Sequence, residues 1–398
     1  MLNKTNNKII FTIIIICFSF ASAFGQNNFR GGFIITLEND TIQGQVDYRS
    51  NSKNYESSIF KGKQGKIEYY PNQIKGFGYD NDKFFSSQII EGTFVEVMIR
   101  GKMSLYKSKE KYHVEKDASL YDLESIFERV EIDGKIGTKE NNKWRGTLSF
   151  LISDCLKNPS EYTANIKFGE KSLTRLIVKY NRCTGAEFIE FKANKPWTKF
   201  DFGVALGASR NEITTDGSGS FSYLDDSYSS IDPSAGVVIA ISSPRFTEKI
   251  AFQSELHYFK SSFSSLVELG GSTTQFHDTY IDLTTLSIPL SLKYSFPEKK
   301  YGVYFQVGMN YDFHLDSNTR LLTEEINGNV VNTFPETAAF ELNDSQIGFW
   351  GGVGILKTYK KFKASVTIRY FQMSALNKSV GFIGNNNRIS LNLILFKK

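Results

Sequence analysis

The chain has 398 residues, a formal net charge of +5, three cysteines and four histidines, and aromatic residues make up 14% of it, led by 34 Phe and 20 Tyr. That length accommodates two or three domains, each with its own core. The modest charge forms no basic stripe and gives no nucleic-acid interface, and the only long apolar run lies at the N-terminus, which excludes a bundle of membrane-spanning helices.

Lys4 and Lys8 precede an apolar run over residues 9–20, and the small-residue segment Ala21-Ser22-Ala23-Phe24-Gly25 then leads into polar Gln26-Asn27-Asn28. The pattern predicts a signal peptide over residues 1–25, cut near Ala23 or Gly25. Cys17 follows three isoleucines rather than a small residue, so a lipoprotein anchor is not expected.

Residues 26–142 read as an exported, periplasmic, antiparallel β-domain. Segments 32–37 and 41–48 flank Glu38-Asn39-Asp40, and segments 94–100 and 103–107 flank Gly101-Lys102, both in the manner of β-hairpins. Further strands are expected at 66–70, 111–115 and 129–132, the last before Asp133-Gly134. No metal-ligand spacing or phosphate-binding glycine loop occurs here, so no metal or cofactor is expected, and His113 reads as structural.

Residues 143–196 predict a helical hairpin and a linker. Leu148, Leu151, Ile152, Cys155 and Leu156 fall on one helical stripe before Asn158-Pro159, and Leu173, Leu176, Ile177, Tyr180 and Cys183 fall on a second before Thr184-Gly185. Each stripe carries one cysteine. Once the signal is removed these are the only two, in an oxidising compartment, and a disulfide between Cys155 and Cys183 is expected. Lys195-Pro196-Trp197 then reaches the next domain, with Trp197 expected as a membrane-interface anchor.

From residue 197 to 398 the pattern changes to eight strand-length segments of alternating polarity, at 199–210, 233–242, 249–259, 280–294, 301–312, 346–356, 362–370 and 388–396. In the first, Phe200, Phe202, Val204 and Leu206 oppose Asp201, Gly203, Ala205 and Gly207; in the seventh, Phe362, Ala364, Val366, Ile368 and Tyr370 oppose Lys363, Ser365, Thr367 and Arg369. One face suits lipid and the other a tight interior, which predicts an eight-stranded antiparallel transmembrane β-barrel. The overall expectation is therefore a mainly β chain ending in an outer-membrane barrel.

Connections alternate between long (211–232, 263–278, 315–345 and 377–387) and short (near Pro244, Pro297 and Tyr359), which places the short turns and both barrel ends on the periplasmic side. The long connections are acidic and the short ones basic. An eight-stranded interior is only wide enough for side chains, so the lumen-facing Asp201, Glu255, Lys293, Asp312, Lys363, Arg369 and Arg388 are expected to pair into a polar plug rather than line a channel. His257 falls on the same face beside Glu255.

The segment Leu286-Ser287-Ile288-Pro289-Leu290-Ser291-Leu292-Lys293-Tyr294, followed by the aromatic-glycine strand at 301–311, resembles the PorT-like family of outer-membrane β-barrel proteins. The resemblance covers residues 197–398 and implies an outer-membrane barrel and, in some members, a part in secretion or surface assembly. One departure is that the last strand ends Phe396-Lys397-Lys398, and Leu391, Leu393 and Leu395, not Phe396, share the lipid-facing parity.

The expected function is that of a non-enzymatic outer-membrane protein anchoring a periplasmic interaction domain, with lipid around the barrel and an envelope protein or peptidoglycan as partner in envelope assembly or secretion. An alternative is a surface receptor or adhesin that uses the acidic outer loops. A third is a hydrolase at the outer rim, where His277-Asp278 and His314 with Asp312 and Asp316 lie near Ser272 and Ser317.

Overall fold

Short turns organise the N-terminal sheet. Asn39, with φ of 74°, reverses the chain between β1 (Phe29–Ile35) and β2 (Thr41–Asp47), which pair in full register. Asparagine tolerates this left-handed backbone because its short polar side chain bonds locally. Asp117 and Ala118, with φ of 51° and 60°, make the two-residue turn between β9 (Lys111–Lys116) and β10 (Ser119–Leu123). Two successive positive φ values match the right-handed strand twist of a tight hairpin.

The computed structural model describes residues 28–63, 65–109, 111–132, 135–217, 219–271, 273–296, 301–378 and 382–398. The expected signal peptide over residues 1–25 lies outside them, as do Asp133-Gly134, Ser272, and the turn residues Pro297, Glu298, Lys299 and Lys300. The chain divides into two compact units, residues up to Pro196 and Trp197–Lys398.

In the first unit, β3 (Ser58–Gly62), β4 (Gly65–Tyr69), β5 (Gly76–Tyr79), β6 (Phe84–Ser86), β7 (Val95–Arg100) and β8 (Met103–Ser108) complete one antiparallel sheet in the order β10-β9-β8-β7-β6-β5-β1-β2-β3-β4. A short strand β13 (Ile189–Glu190) adds to the end of β7, and β11 (Ile126–Ile132) with β12 (Lys135–Asn141) forms a separate hairpin. Helix α1 (Asn51–Glu56) buries Tyr55 against Phe77, Phe85 and Phe94.

Helices α2 (Lys143–Ile152), α3 (Pro159–Thr163) and α4 (Glu170–Cys183) follow. Leu148, Leu151 and Ile152 of α2 and Leu173, Leu176, Ile177 and Tyr180 of α4 join Met98, Met103, Leu105, Val114 and Leu123 in one apolar core. The residues read separately as a β-domain and a helical hairpin thus share a core. Helix α2 stops at Ile152, short of Cys155 and Leu156, and α3 occupies the expected break, since Pro159 suits a first helical turn. Gly185, with φ of 68°, ends α4 in the left-handed conformation that glycine adopts without penalty.

In the second unit, β14 (Lys199–Gly217), β15 (Ser227–Ser243), β16 (Thr247–Leu269), β17 (Thr274–Ser295), β18 (Gly302–Asn327), β20 (Ser345–Thr358), β21 (Phe362–Met373) and β22 (Phe382–Lys397) pair as antiparallel neighbours, and β14 with β22 and β17 with β18 complete a closed ring. The short β19 (Val330–Thr333) pairs with the far end of β18. Side-chain parity is as the pattern requires. Phe202, Leu206, Val307, Phe349 and Ile368 are 57–68% exposed outward, while Ala205, Tyr304, Gln306, Thr367 and Arg369 are at most 1% exposed inside. The outward apolar stretch from Ile250 to Tyr258 on β16 rises roughly 20–25 Å at the tilt of such barrels, the height of a hydrocarbon band.

The strands overrun the expected ends. β16 and β17 pair out to Leu269 and Gln275, leaving a short turn where a loop over 263–278 was expected, and β18 runs to Asn327 inside the expected 315–345 loop. Beyond the lipid the outward face of β16 turns polar, as at Lys260, Ser262 and Ser264, while Phe263 points inward, so the apolar-out, polar-in alternation that marks a strand within the band disappears.

Candidate functional site

The inward faces of the barrel meet in layers. Nearest the short turns, the Lys363 ammonium lies 3.4 Å from Asp201, which also faces Lys199 at 3.1 Å. In the middle, Arg369 donates from both terminal nitrogens to Glu255, at 2.9 and 2.7 Å, and His257 and Gln253 each sit 2.7 Å from the same carboxylate. Above them Arg388 pairs with Asp312 and donates to Asn211 at 2.6 Å, while Asn310 donates to Asp312 at 2.7 Å. Six of the seven predicted lumen residues therefore form three ion pairs.

Lys293 differs. It lies over the Tyr304 ring at 3.7 Å, with Phe396 at 5.9 Å, and takes aromatic faces where the others take a carboxylate. Arginines are stacked as well: Arg369 over Trp350 at 4.7 Å, and Arg388 over Phe259 at 4.6 Å. Large inward side chains require small neighbours. A Cβ added at Gly354 would come within 2.4 Å of the Tyr304 ring, so that glycine makes room for the tyrosine.

Asp232 is an inward carboxylate that sequence reasoning left at a loop end. It is 2% exposed and accepts hydrogen bonds from Asn211, Ser230 and Ser261. Its parity with Val238 and Ala240 on one strand is the available signal, hidden because Pro233 reads as a strand start.

The end away from the short turns is closed by apolar packing. Ile213, Tyr228, Phe263, Ile281 and Leu283 point inward from four strands and meet Leu342 and Leu376 from the connections. Tyr223 donates to the Ala339 carbonyl at 3.0 Å and so joins two connections, and Thr319 of β18 donates to the Phe340 carbonyl at 2.8 Å.

The rim histidines do not converge. His277 Nδ1 lies 3.0 Å from Thr323, and His314 Nδ1 lies 3.0 Å from Thr285. Their register positions on β17 are eight residues apart, roughly 26 Å along the strand. Ser317 lies on β18 between them, and Ser272 is outside the described residues.

At the short-turn end, Trp197 is half-buried, with the Arg245 guanidinium 4.2 Å above its ring and Phe246 at 5.7 Å. Its carbonyl accepts from Ser243 at 2.6 Å. Tyr359 and Phe362 stack nearby in the chain at 4.7 Å, and Lys357 reaches over Tyr301 and Tyr359. In the first unit, Cys155 and Cys183 are joined by a disulfide, with Cα atoms 6.1 Å apart.

The first unit has its own buried charge cluster. Lys192 Nζ lies 2.6 Å from Glu96 and 2.9 Å from Glu170, and all three residues are at most 4% exposed. Burial alone would raise the Glu96 carboxyl, but Lys192 and Lys83 more than reverse this and hold it below its ordinary value. Burial would lower the Lys192 ammonium, and the two carboxylates more than reverse that and raise it. The cluster ties the segment after β13 to β7 and α4.

Residues 190–380 match the family model described as outer membrane protein beta-barrel domain. No curated protein matches the sequence. Among solved structures, Neisserial surface protein A is similar at 13% identity and a TM-score of 0.27, over 49% of this chain and 96% of that one. Ail, the attachment invasion locus protein of Yersinia pestis, matches at 9% identity and a TM-score of 0.21, over 49% and 99%. The outer membrane protease OmpT of Escherichia coli matches at 9% identity and 0.16, over 50% and 96%.

Proposed function

With its C-terminal half an outer-membrane β-barrel domain, we propose that the barrel of this chain is a non-enzymatic anchor whose task is to hold the folded N-terminal unit at the periplasmic face of the outer membrane, where that unit binds an envelope protein or peptidoglycan. One observation carries the reading: the barrel interior is filled, by three ion pairs and an apolar outer cap, while the unit ending at Pro196 has a core of its own. A filled barrel serves as an anchor, and the anchored unit is then what acts. Membership of the PorT-like branch, with a role in surface assembly or secretion, is part of the same proposal.

The test is in-cell crosslinking of the full chain and of a variant lacking residues 29–194, with insertion of both verified by protease protection. The reading expects partners captured by the full chain and lost with the deletion. Capture that is undiminished overturns it. Planar-bilayer recordings of the full chain should likewise show no steady single-channel conductance.

A second reading, a surface receptor or adhesin, draws on the strands that overrun the lipid band, since Asp278, Asp282, Asp316, Glu324 and Glu325 all lie on that extension. Shortening β16 to β19 beyond the band should then abolish cell or ligand binding while the barrel still inserts.

A further inference from the structure

Three neighbouring strands at one end of the first sheet place a serine, a histidine and a carboxylate in a line. Ser108 Oγ lies 2.8 Å from His113 Nε2, and His113 Nδ1 lies 2.7 Å from Asp122 Oδ1. Register explains the alignment. Asp122 of β10 is directly opposite His113 of β9, and Ser108 of β8 is diagonal to it, two positions from Tyr106, the residue opposite His113 on the other side. All three share one face of the sheet, because side chains alternate with a period of two.

The line has a direction. An ionised Asp122 can only accept, so the shared proton sits on Nδ1, which fixes the imidazole tautomer and leaves Nε2 as an acceptor for the Ser108 hydroxyl. That is the arrangement that activates a weak nucleophile: a base within hydrogen-bond reach and a third group that orients the base. The imidazole is held firmly, its side chain being 4% exposed, while Ser108 is half-buried at the strand end, where a substrate can reach it. Lys109 follows with a positive φ of 20°, so the chain turns sharply away directly after the serine.

We propose that Ser108, His113 and Asp122 form a nucleophilic relay that gives the N-terminal unit acyl-ester hydrolase activity, independent of the barrel's anchoring role. Ser108 Oγ attacks the ester carbonyl carbon, and its proton passes to His113 Nε2. As the bond from the acyl carbon to the alcohol oxygen breaks, that proton goes to the departing alkoxide. Water then attacks the acyl-serine, giving its proton to His113, and Ser108 leaves with that proton, so the net change is ester plus water to acid plus alcohol. Asp122 stays ionised throughout and acts as a positioning residue. The other polar and charged groups that share the His113 face by register are Lys111, which pairs with Glu124, Glu115, which accepts from Tyr106, and Ser104, opposite Glu115.

The experiment uses the full chain in detergent micelles with a fluorophosphonate probe, peptide mapping of the labelled serine, and p-nitrophenyl acetate as ester. Labelling is expected at Ser108, absent in Ser108→Ala and reduced on the order of 100-fold in His113→Gln. Asp122→Asn should lower the labelling rate and shift its pH profile with unchanged unfolding temperature, which a purely structural carboxylate would not do. Folded wild-type protein that leaves Ser108 unlabelled overturns the proposal, as does an Asp122→Asn variant with an unaltered rate and profile. Turnover of the ester that survives in Ser108→Ala overturns it too.

Discussion

Glu255 and Arg369 show at single-residue scale why an ion pair persists inside the barrel. Removing one partner strands a buried charge, which costs about 3–5 kcal/mol, whereas replacing both with apolar side chains is often close to neutral. Glu255→Gln is therefore expected to destabilise the folded barrel by about that amount, and Glu255→Leu with Arg369→Leu by clearly less. Urea unfolding in micelles, read by gel mobility of unheated samples, measures both. Equal losses in the single and double variants would contradict the argument.

The cluster in the first unit predicts a dependence on pH. Glu96 is held below its ordinary value of 4.5, so its contribution is present above that pH and is lost as pH falls through the lower, folded value. Lys192 is held above 10.5, so its contribution is complete below that pH and is lost as pH rises through the raised value. Stability of this unit should thus be flat across neutral pH and fall at both extremes. Lys192→Met should lower the neutral plateau, because two buried carboxylates lose their cation. Trp144, 2% exposed in the core, reports the unfolding by its emission once Trp197 and Trp350 are replaced by Phe.

Among the elements, the disulfide gives the simplest prediction. Cys155 and Cys183 are 28 positions apart, and in the chain-entropy picture closing such a loop stabilises by about 3–4 kcal/mol. Reduction, or Cys155→Ala with Cys183→Ala, should lower the unfolding temperature of the first unit and leave that of the barrel unchanged, as scanning calorimetry would show.

How much was legible also varied by element. Within the lipid band, the parity of Phe200 to Leu206 and of Phe362 to Tyr370 was readable because lipid and lumen demand opposite polarity at each step. Outside the band nothing enforces that alternation, and the ends of β16, β17 and β18 escaped detection. In the first unit, strands as short as β6, with three buried residues and no polar alternation, carry too little pattern to find. The lumen ion pairs were legible as a set of residues but not as partners, since pairing depends on strand register. The Ser108 to Asp122 line was within reach: the pairing of β8 with β9 and the turn at 117–118 fix its register, and His113 read alone looked structural.

At the scale of the whole molecule, the two units call for separate stability measurements, because their cores obey different solvents. The first buries aliphatic and aromatic side chains away from water, with Met98, Leu105 and Ile177 fully inside. The second turns Leu, Val and Phe outward and keeps its charges within, so detergent or lipid replaces the hydrophobic core as the source of order. Two well-separated transitions are expected on heating the full chain, only the second moving with the choice of detergent.

The ring closure between β14 and β22 has a consequence for the order of events during assembly. These strands join Gly203 to Phe396 and Gly217 to Phe382, so the seam links the ends of the domain while every other join except that between β18 and β20 is made by chain neighbours. Local hairpins can form as soon as their two arms exist, but the seam waits for the last arm and must close the longest loop in the domain. The open-sheet intermediate, with one edge at β14 and the other still unmade, is therefore the species that assembly factors would need to shield.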